Sequence, residues 1–232
     1  MSVSYRHWLK LTEACSAQWS HSGVKSAYEF ALDNESLMIQ LPLFPLNVVL
    51  FPGGVLPLRI FEPRYTSMVS ESLKQGSGFA IMTIEEQTDT SQATAFYSLG
   101  TLAEIVDFDQ LDGGMLGITC RGGERVLIEH QRQRADRLII GTGELQAPEP
   151  AITVDASHQP LSQFLGSLLK REEIQPYRRW LQEDWHSACW LGFRLAELLP
   201  LPLAFKHYLL EIDDARERLD ILDTVLRDNE LL

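Results

Sequence analysis

The sequence predicts an α+β fold in which a β-rich first half, containing one helix, is followed by a helical bundle. Before residue 146, short apolar runs alternate with turns rich in glycine and proline, which is typical of strands in an antiparallel barrel or sandwich. After residue 160, apolar residues recur at helical spacing instead. Prolines interrupt the stretch between them, Gln146–Pro160, which therefore predicts a connector between the two halves.

The first strands are predicted on either side of Pro52-Gly53-Gly54. The runs Leu46–Phe51 and Val55–Ile60 are short and apolar, as buried strands are, so we expect a hairpin or a bent strand pair. Prolines recur through this stretch, and each removes a backbone donor, which favours the edges and bends of a small twisted barrel. These prolines are Pro42, Pro45, Pro52, Pro57 and Pro63.

A helix is predicted to begin at Pro63, because proline suits the first helical position and the charge of Glu62 suits a helix start. Gly76 is expected to end this helix. Its apolar stripe consists of Tyr65, Met68, Val69 and Leu73.

The rest of the first half is predicted to consist of short strands. Leu111–Gly114 is expected to form a tight hairpin, since Asp-Gly supplies the positive φ that such turns require. Gly122-Gly123 predicts another turn, and Glu85–Ala93 predicts a polar loop. The strands are predicted at Phe79–Ile84, Thr101–Phe108, Met115–Arg121, Arg125–His130 and Arg137–Leu145.

Four helices are predicted in the second half. One carries Leu161 to Leu169, and a longer one covers Trp180–Leu199 until Pro200 and Pro202 end it. The third has Phe205, Leu209 and Ile212 on one face. The last begins at Asp214, which has capping-box spacing to Glu217, and buries Leu219, Leu222 and Leu226.

Composition bounds the class of protein. The net charge of −12 and the pI near 4.9 disfavour phosphate backbones and anionic membranes as partners. Cys15, Cys120 and Cys189 are odd in number and far apart, which predicts reduced thiols and a cytoplasmic location. No apolar run approaches the roughly 20 residues of a membrane span, and residues 1–37 contain no signal-peptide core.

The stretch LPLFPLNVVLFPGGVLPLRIFEPRYTSMV, residues 41–69, resembles the start of the N-terminal substrate-binding domain of Lon proteases. The resemblance extends over residues 38 to 230, through Gly100–Ile105, Asp112–Gly114 and Arg194–Pro200, and is greatest to stand-alone bacterial proteins of this domain. It implies a PUA-like pseudo-barrel over 38–147 and a helical subdomain over 148–232. Residues 1–37 are expected to be an extension of uncertain role, with Met38 as a candidate native start.

The sequence contains no constellation of catalytic residues. A phosphate-binding loop of the G-x-x-x-x-G-K-[ST] type is absent, and the Lon ATPase and peptidase domains do not fit in this length. His186 and Cys189 alone make an incomplete metal site. We therefore expect no enzyme activity, no metal and no cofactor.

One charged cluster is a candidate peptide-binding rim, formed by Arg59, Glu62, Arg64 and Tyr65. The alternative is structural, with Glu62 capping the helix and an arginine bracing the turn. A second group of apolar residues is expected to belong to the core, and would form a peptide-binding patch only if several of them were exposed together. They are Leu41, Leu43, Phe44 and Leu46.

Two functions follow as hypotheses. The first is a non-catalytic module that binds unfolded polypeptides or a protein partner, such as a protease or ATPase, through apolar surface and strand addition at a barrel edge. The second is RNA binding, because PUA-like barrels in other families bind RNA. RNA binding requires the arginines of one segment to converge on an open face, namely Arg121, Arg125, Arg132, Arg134 and Arg137.

Overall fold

A computed structural model of the protein describes residues 38–85 and 95–232. The predicted N-terminal extension, Cys15 and most of the predicted loop after Glu85 lie outside these residues. The described chain forms a six-stranded mixed sheet followed by helices, which confirms the predicted α+β fold. The division at residue 147 stays a prediction.

The six strands curl into a barrel. They are β1 (Met38–Leu46), β2 (Val55–Ile60), β3 (Phe79–Ile84), β4 (Phe96–Gln110), β5 (Leu116–Gln133) and β6 (Ile139–Leu145). Strand β5 is long enough to pair with β4 along its first part and with β6 along its last part, which closes the order β5-β4-β3-β1-β6 on itself. Strand β2 is attached to the outside of this ring by pairing with β5. Only β1 and β3 run parallel.

Helix α1 (Pro63–Gln75) forms as predicted. Pro63 is its first residue, and Gly76 ends it in the left-handed conformation at φ 64°. Tyr65, Met68 and Val69 are buried in the same apolar cluster as Phe44 and Phe79, but Leu73, predicted in this stripe, is 43% exposed.

The remaining helices form the second half, after a connector without regular strands. They are α2 (Gln159–Leu169), α3 (Gln175–Arg178), α4 (Ala188–Leu198), α5 (Leu203–Glu211) and α6 (Ala215–Asp228). Asp214 is the N-cap of α6, and its side chain accepts from the backbone N–H of Arg216. Leu219, Leu222 and Leu226 are buried as predicted.

Near the first turn, the predicted strand Val55–Ile60 forms as β2, but the predicted strand Leu46–Phe51 and the hairpin between the two are wrong. Leu46–Phe51 is not a strand, because β1 ends at Leu46, and β1 and β2 pair with different neighbours and form no hairpin. Val49, Leu50 and Phe51 are buried nevertheless. Thr101 Oγ1 donates to Leu50 O at 2.6 Å, and Thr83 Oγ1 donates to Val48 O at 3.2 Å. Side-chain hydroxyls satisfy carbonyls that a neighbouring strand would otherwise satisfy.

Gly122-Gly123 is not a turn, because β5 continues through both residues. Gly122 instead lets the Pro52–Gly54 turn lie directly against the strand. Gly53 N donates to Gly122 O at 2.8 Å, and Gly122 N donates to Gly54 O at 2.9 Å. A Cβ on Gly122 would lie 2.2 Å from Phe51 O, so this position has no room for a side chain.

The predicted long helix Trp180–Leu199 is also shorter than expected. It begins at Ala188, where the Ser187 side chain accepts from Trp190 N at 3.2 Å. The preceding segment forms a bridge between Thr153 and Ser187, which ties it to the connector. The apolar spacing of Trp185 and Ala188 extended the predicted helix beyond this N-cap.

Buried arginines tie the helices to the connector and to the barrel. Arg218, fully buried on α6, pairs with Glu149, donates to Leu209 O at 2.9 Å and lies 3.9 Å from the Phe193 ring centroid. Arg125 of β5 donates to Leu210 O at 3.0 Å and to Asp213 at 2.7 Å. The main apolar cluster likewise combines the helices with Val49, Phe51 and Val55 of the first half.

Candidate functional site

A groove of about 610 Å³, including its solvent-facing mouth, lies where the β2–β5–β4 part of the sheet meets helix α3. Polar and apolar groups share its exposed lining, and the larger apolar side chains are Pro57 and Leu58 of β2, Phe108 and Leu111 at the end of β4, Pro176 of α3 and Trp180 just after it. Concave, mainly apolar sites with a few polar groups are where proteins usually bind other molecules. The groove is therefore the candidate functional site.

The floor of the groove is formed by paired strands. Pro57 lies opposite Thr119, and Arg59 lies opposite Gly117 in the β2–β5 register. A Cβ on Gly117 would lie 3.1 Å from the side chain of Leu111, so this glycine gives Leu111 room to pack over the strand. The hairpin end after β4 is thereby folded down onto the floor.

The wall opposite the hairpin is the segment from Pro176 to Trp180. Tyr177 anchors it: the side chain is 5 % exposed, and its hydroxyl donates to Glu197 Oε2 at 2.7 Å. Burial raises the pKa of Tyr177 well above its usual value, so the hydroxyl keeps its proton and remains a donor. Arg121 of β5 donates to Trp180 O at 3.3 Å and holds the end of the wall.

Charged side chains line part of the mouth. Asp107 and Asp109 use their Oδ1 atoms to accept from the next backbone N–H, at 3.0 and 2.7 Å respectively. On the other wall, the guanidinium of Arg179 lies 5.1 Å from the Trp180 ring centroid. The groove thus combines an apolar floor with charges of both signs at its rim.

Apolar side chains are also exposed around the hairpin end. Phe108 is 61 % exposed, Phe61 is 73 % exposed and Met115 is 36 % exposed. Phe61 and Met115 lie near each other, because their chain neighbours Ile60 and Leu116 pair between β2 and β5. Large apolar residues grouped at one place on a surface are typical of an interaction site.

Strand β2 is an edge strand, but its edge is interrupted. The carbonyl of Gly54 accepts from Gly122 N of β5. The backbone N–H of the next residue, Val55, points away from β5 and donates to Glu197 Oε1 at 3.2 Å. Because backbone groups alternate along a strand, Pro57 and Arg59 also face away from β5. Pro57 has no N–H to offer there, which limits the strand addition expected at this edge.

The four predicted rim residues do not gather at the groove. Arg59 is exposed on β2 beside the floor, but the others lie at the start of α1. Glu62 occupies the N-cap position without a side-chain cap bond, since its carboxylate pairs with Arg64 at 2.8 Å. Arg64 also donates to Arg137 O at 3.1 Å, and Tyr65 is buried, stacked on Phe44 at 4.0 Å between centroids. A peptide-binding role for these four residues stays a prediction.

The second apolar group belongs to the core. Leu41 and Leu43 are buried in one barrel cluster, Phe44 is buried in another, and Leu46 is partly buried against the latter. They do not form the exposed patch that peptide binding would require.

The arginines considered for RNA binding are mostly engaged within the protein. Arg125 is 6 % exposed and bound to Leu210 and Asp213, and Arg134 pairs with Glu71 at 2.9 Å and with Asp136 at 3.0 Å. Arg121 faces the groove wall. This arrangement removes the convergence on which the RNA hypothesis depended.

Chemistry-bearing residues are dispersed. Within residues 38–85 and 95–232, no three His, Cys, Asp or Glu side chains lie close enough together to hold a metal ion. Burial raises the pKa of Cys120 and Cys189 to about 12, which makes them poor nucleophiles. The described helices include none long and apolar enough to cross a membrane.

The sequence did not indicate the residues that form the groove. The local pattern predicts Phe108 in a strand, Leu111 in a turn and Trp180 in a helix. The available signal was the chemistry of the hairpin end, where Phe108 and Met115 are apolar residues beside a turn that faces solvent.

Comparison with known proteins identifies the family. Residues 40–228 match the ATP-dependent protease La (Lon) substrate-binding domain. Lon protease of Vibrio parahaemolyticus is 27% identical over 191 residues, which cover 79% of this chain and 24% of the protease, and Lon protease of Cytophaga hutchinsonii is 28% identical over 196 residues. The chain thus spans about a quarter of the length of these relatives.

Solved structures agree with this match. The crystal structure of a Lon N-terminal domain protein from Xanthomonas campestris is 33% identical, with a TM-score of 0.65, over 80% of this chain and 98% of that one. The fold is shared by the N-terminal domain of a Mycobacterium avium complex Lon protease. That domain is 20% identical, with a TM-score of 0.53, over 79% of this chain and 96% of that one. The chain belongs to the family of the Lon protease substrate-binding domain.

Proposed function

We propose that this protein is a non-catalytic module that binds unfolded polypeptide segments, or an apolar segment of a protein partner, in the groove between β2 and α3. The proposal is carried by a groove that presents apolar side chains among polar ones, beside exposed aromatic residues, in a chain that matches a substrate-binding domain over 40–228. The ATPase and peptidase activities of Lon proteases are not part of the proposal. A separate protease or ATPase is a candidate partner.

Binding would depend mainly on side chains. An apolar segment entering the groove would cover Pro57, Leu111 and Trp180 and remove them from water, at roughly 25 cal/mol per Å² of apolar surface. The interrupted edge of β2 offers few backbone bonds, so affinity should depend on the apolar side chains of the segment and fall when they are replaced by polar ones. Since apolar burial supplies the affinity, raising the salt concentration should change it little.

The proposed location is the cytoplasm. Both cysteines that the structure describes, Cys120 and Cys189, are free thiols, as is usual in reducing compartments.

The test is a titration of the protein against a fluorescently labelled, reduced and alkylated protein that cannot refold. Trp180→Ala should weaken binding at least tenfold, because tryptophan is the residue type whose loss most often costs 2 kcal/mol or more at an interface. Trp185→Ala is the matched control, since Trp185 is also partly buried but lies outside the groove.

Two results would contradict the proposal. One is the absence of binding by the unmodified protein at tens of micromolar. The other is equal binding by the Trp180 and Trp185 variants. Hydrolysis of ATP or of peptide bonds by the purified protein, abolished by one substitution in it, would refute its non-catalytic character.

A further inference from the structure

We infer that Glu197 and Tyr177 are the positioning residues of the groove, in that the Glu197 carboxylate fixes the distance between its floor and its wall. The inference rests on the proposed function. It assigns a role to two residues that do not line the groove themselves.

One carboxylate connects the two sides. Glu197 Oε1 accepts from the backbone N–H of Val55, the first residue of β2, at 3.2 Å. Glu197 Oε2 accepts from the Tyr177 hydroxyl at 2.7 Å. Val55 lies on the groove, and Tyr177 lies between the groove residues Pro176 and Arg179. The floor and the wall therefore meet at the two oxygens of a single side chain.

The carboxylate is itself held in place. Its side chain is 14% exposed and lies 3.1 Å from the guanidinium of Arg194, which is fully buried and donates to Pro52 O at 2.9 Å. A Cβ on Gly54 would lie 2.8 Å from Glu197 Oε1, so glycine is what allows the carboxylate to approach the strand. Lys206 Nζ donates to the Glu197 carbonyl at 2.7 Å and fixes the backbone of α4 at this residue.

This arrangement preorganises the groove. The wall helix α3 is one turn long, Gln175–Arg178, and cannot hold its position by helical hydrogen bonds alone. Without the tyrosine hydroxyl, the wall would sample more positions. A ligand would then have to order it on binding, which lowers affinity.

Tyr177→Phe isolates the positioning effect. It removes the hydroxyl and keeps the buried ring, while Glu197 retains Arg194 and Val55 as partners. The fold should survive, since a single hydrogen bond contributes about 1 kcal/mol. Tyr208→Phe is the matched control, because Tyr208 is 45% exposed on α5 and lies outside the groove.

The first measurement is hydrogen–deuterium exchange of the full chain without ligand. In Tyr177→Phe, peptides that cover residues 176–181 should exchange several-fold faster, whereas peptides from β3 and α6 should be unchanged. Glu197→Asp, which shortens the carboxylate by one methylene, should also accelerate exchange at Val55. Exchange in 176–181 equal to that of the unmodified protein, or faster exchange spread over the whole chain, would overturn the inference.

The second measurement is the affinity for the labelled unfolded protein at a temperature where all variants are folded. Tyr177→Phe should raise Kd three- to tenfold, and Tyr208→Phe should leave it unchanged. An unchanged Kd for Tyr177→Phe, with Trp180→Ala impaired, would refute the positioning role and leave the proposed function intact. If the unmodified protein does not bind, the proposed function fails, and the exchange data alone decide whether Glu197 and Tyr177 order the wall.

Discussion

Gly122 and Gly123 allow a sharp test of how the Pro52–Gly54 turn is attached to the barrel. The two glycines are neighbours in β5. If β5 had no other contact at this point, alanine should be tolerated equally well at either position. The structure distinguishes them. A Cβ on Gly122 would meet Phe51 O at 2.2 Å, whereas a Cβ on Gly123 would find its nearest atom, Leu102 O, at 3.5 Å.

Gly122→Ala should therefore be strongly destabilising. The clash involves backbone atoms, so relief requires the turn to move away from the strand, and overpacking of this kind costs about 1–3 kcal/mol. The movement would also break the two hydrogen bonds that Gly122 exchanges with Gly53 and Gly54, at about 1 kcal/mol each. We expect a total loss of roughly 3–5 kcal/mol, a large part of the 5–15 kcal/mol typical of a folded protein.

Gly123→Ala is the control, and it should be neutral or stabilise the protein by up to about 1 kcal/mol, since glycine weakens a strand interior. Urea unfolding followed by circular dichroism measures both values, with the m-value checked for constancy. Equal unfolding free energies for the two variants would refute the reasoning. A large loss for both would indicate the turn at Gly122-Gly123 that the glycine pair predicts.

Two further predictions follow from buried groups. Glu149→Gln should lower the unfolding free energy by about 3–5 kcal/mol, because it leaves the fully buried charge of Arg218 without its carboxylate partner. Urea unfolding measures this loss, and a value below about 1 kcal/mol would contradict a buried ion pair between Glu149 and Arg218. Cys120 and Cys189, whose pKa burial raises to about 12, should react with iodoacetamide at pH 8 far more slowly in the folded protein than in urea, as peptide mass spectrometry resolves site by site. Because burial raises the pKa of both thiols in the folded state, their protonated forms stabilise the protein below the ordinary thiol pKa. This contribution to the free energy of unfolding should be lost as the pH rises toward 12. Rapid labelling at pH 8 would contradict the labelling prediction by showing that the thiols are accessible.

Much of the fold could be predicted from local patterns. The boundaries of β2, β3 and α1 follow from apolar runs and from Pro63 and Gly76, which act within a few residues of themselves. The resemblance around residues 41–69 then supplied the architecture. These features required no knowledge of distant contacts.

The errors arose where a distant contact decides the conformation. Gly122 looks like a turn residue locally, but it continues β5, where it pairs with Ala103 of β4 and bonds to Gly53 and Gly54, and its missing side chain leaves room for Phe51 O. The groove was not predictable for the same reason. Its floor and wall, at Val55 and Tyr177, are joined by Glu197, which is 142 residues from the first.

The carboxyl end of α5 is completed by side chains from two other elements. Arg125 of β5 donates to Leu210 O, while Arg218 of α6 donates to Leu209 O and Ile212 O. Carbonyls at a helix end need such partners when water is excluded. A chimera that joined these helices to the barrel of a relative would therefore need an arginine at the position equivalent to Arg125. Without it, the carbonyl of Leu210 would lose its hydrogen bond.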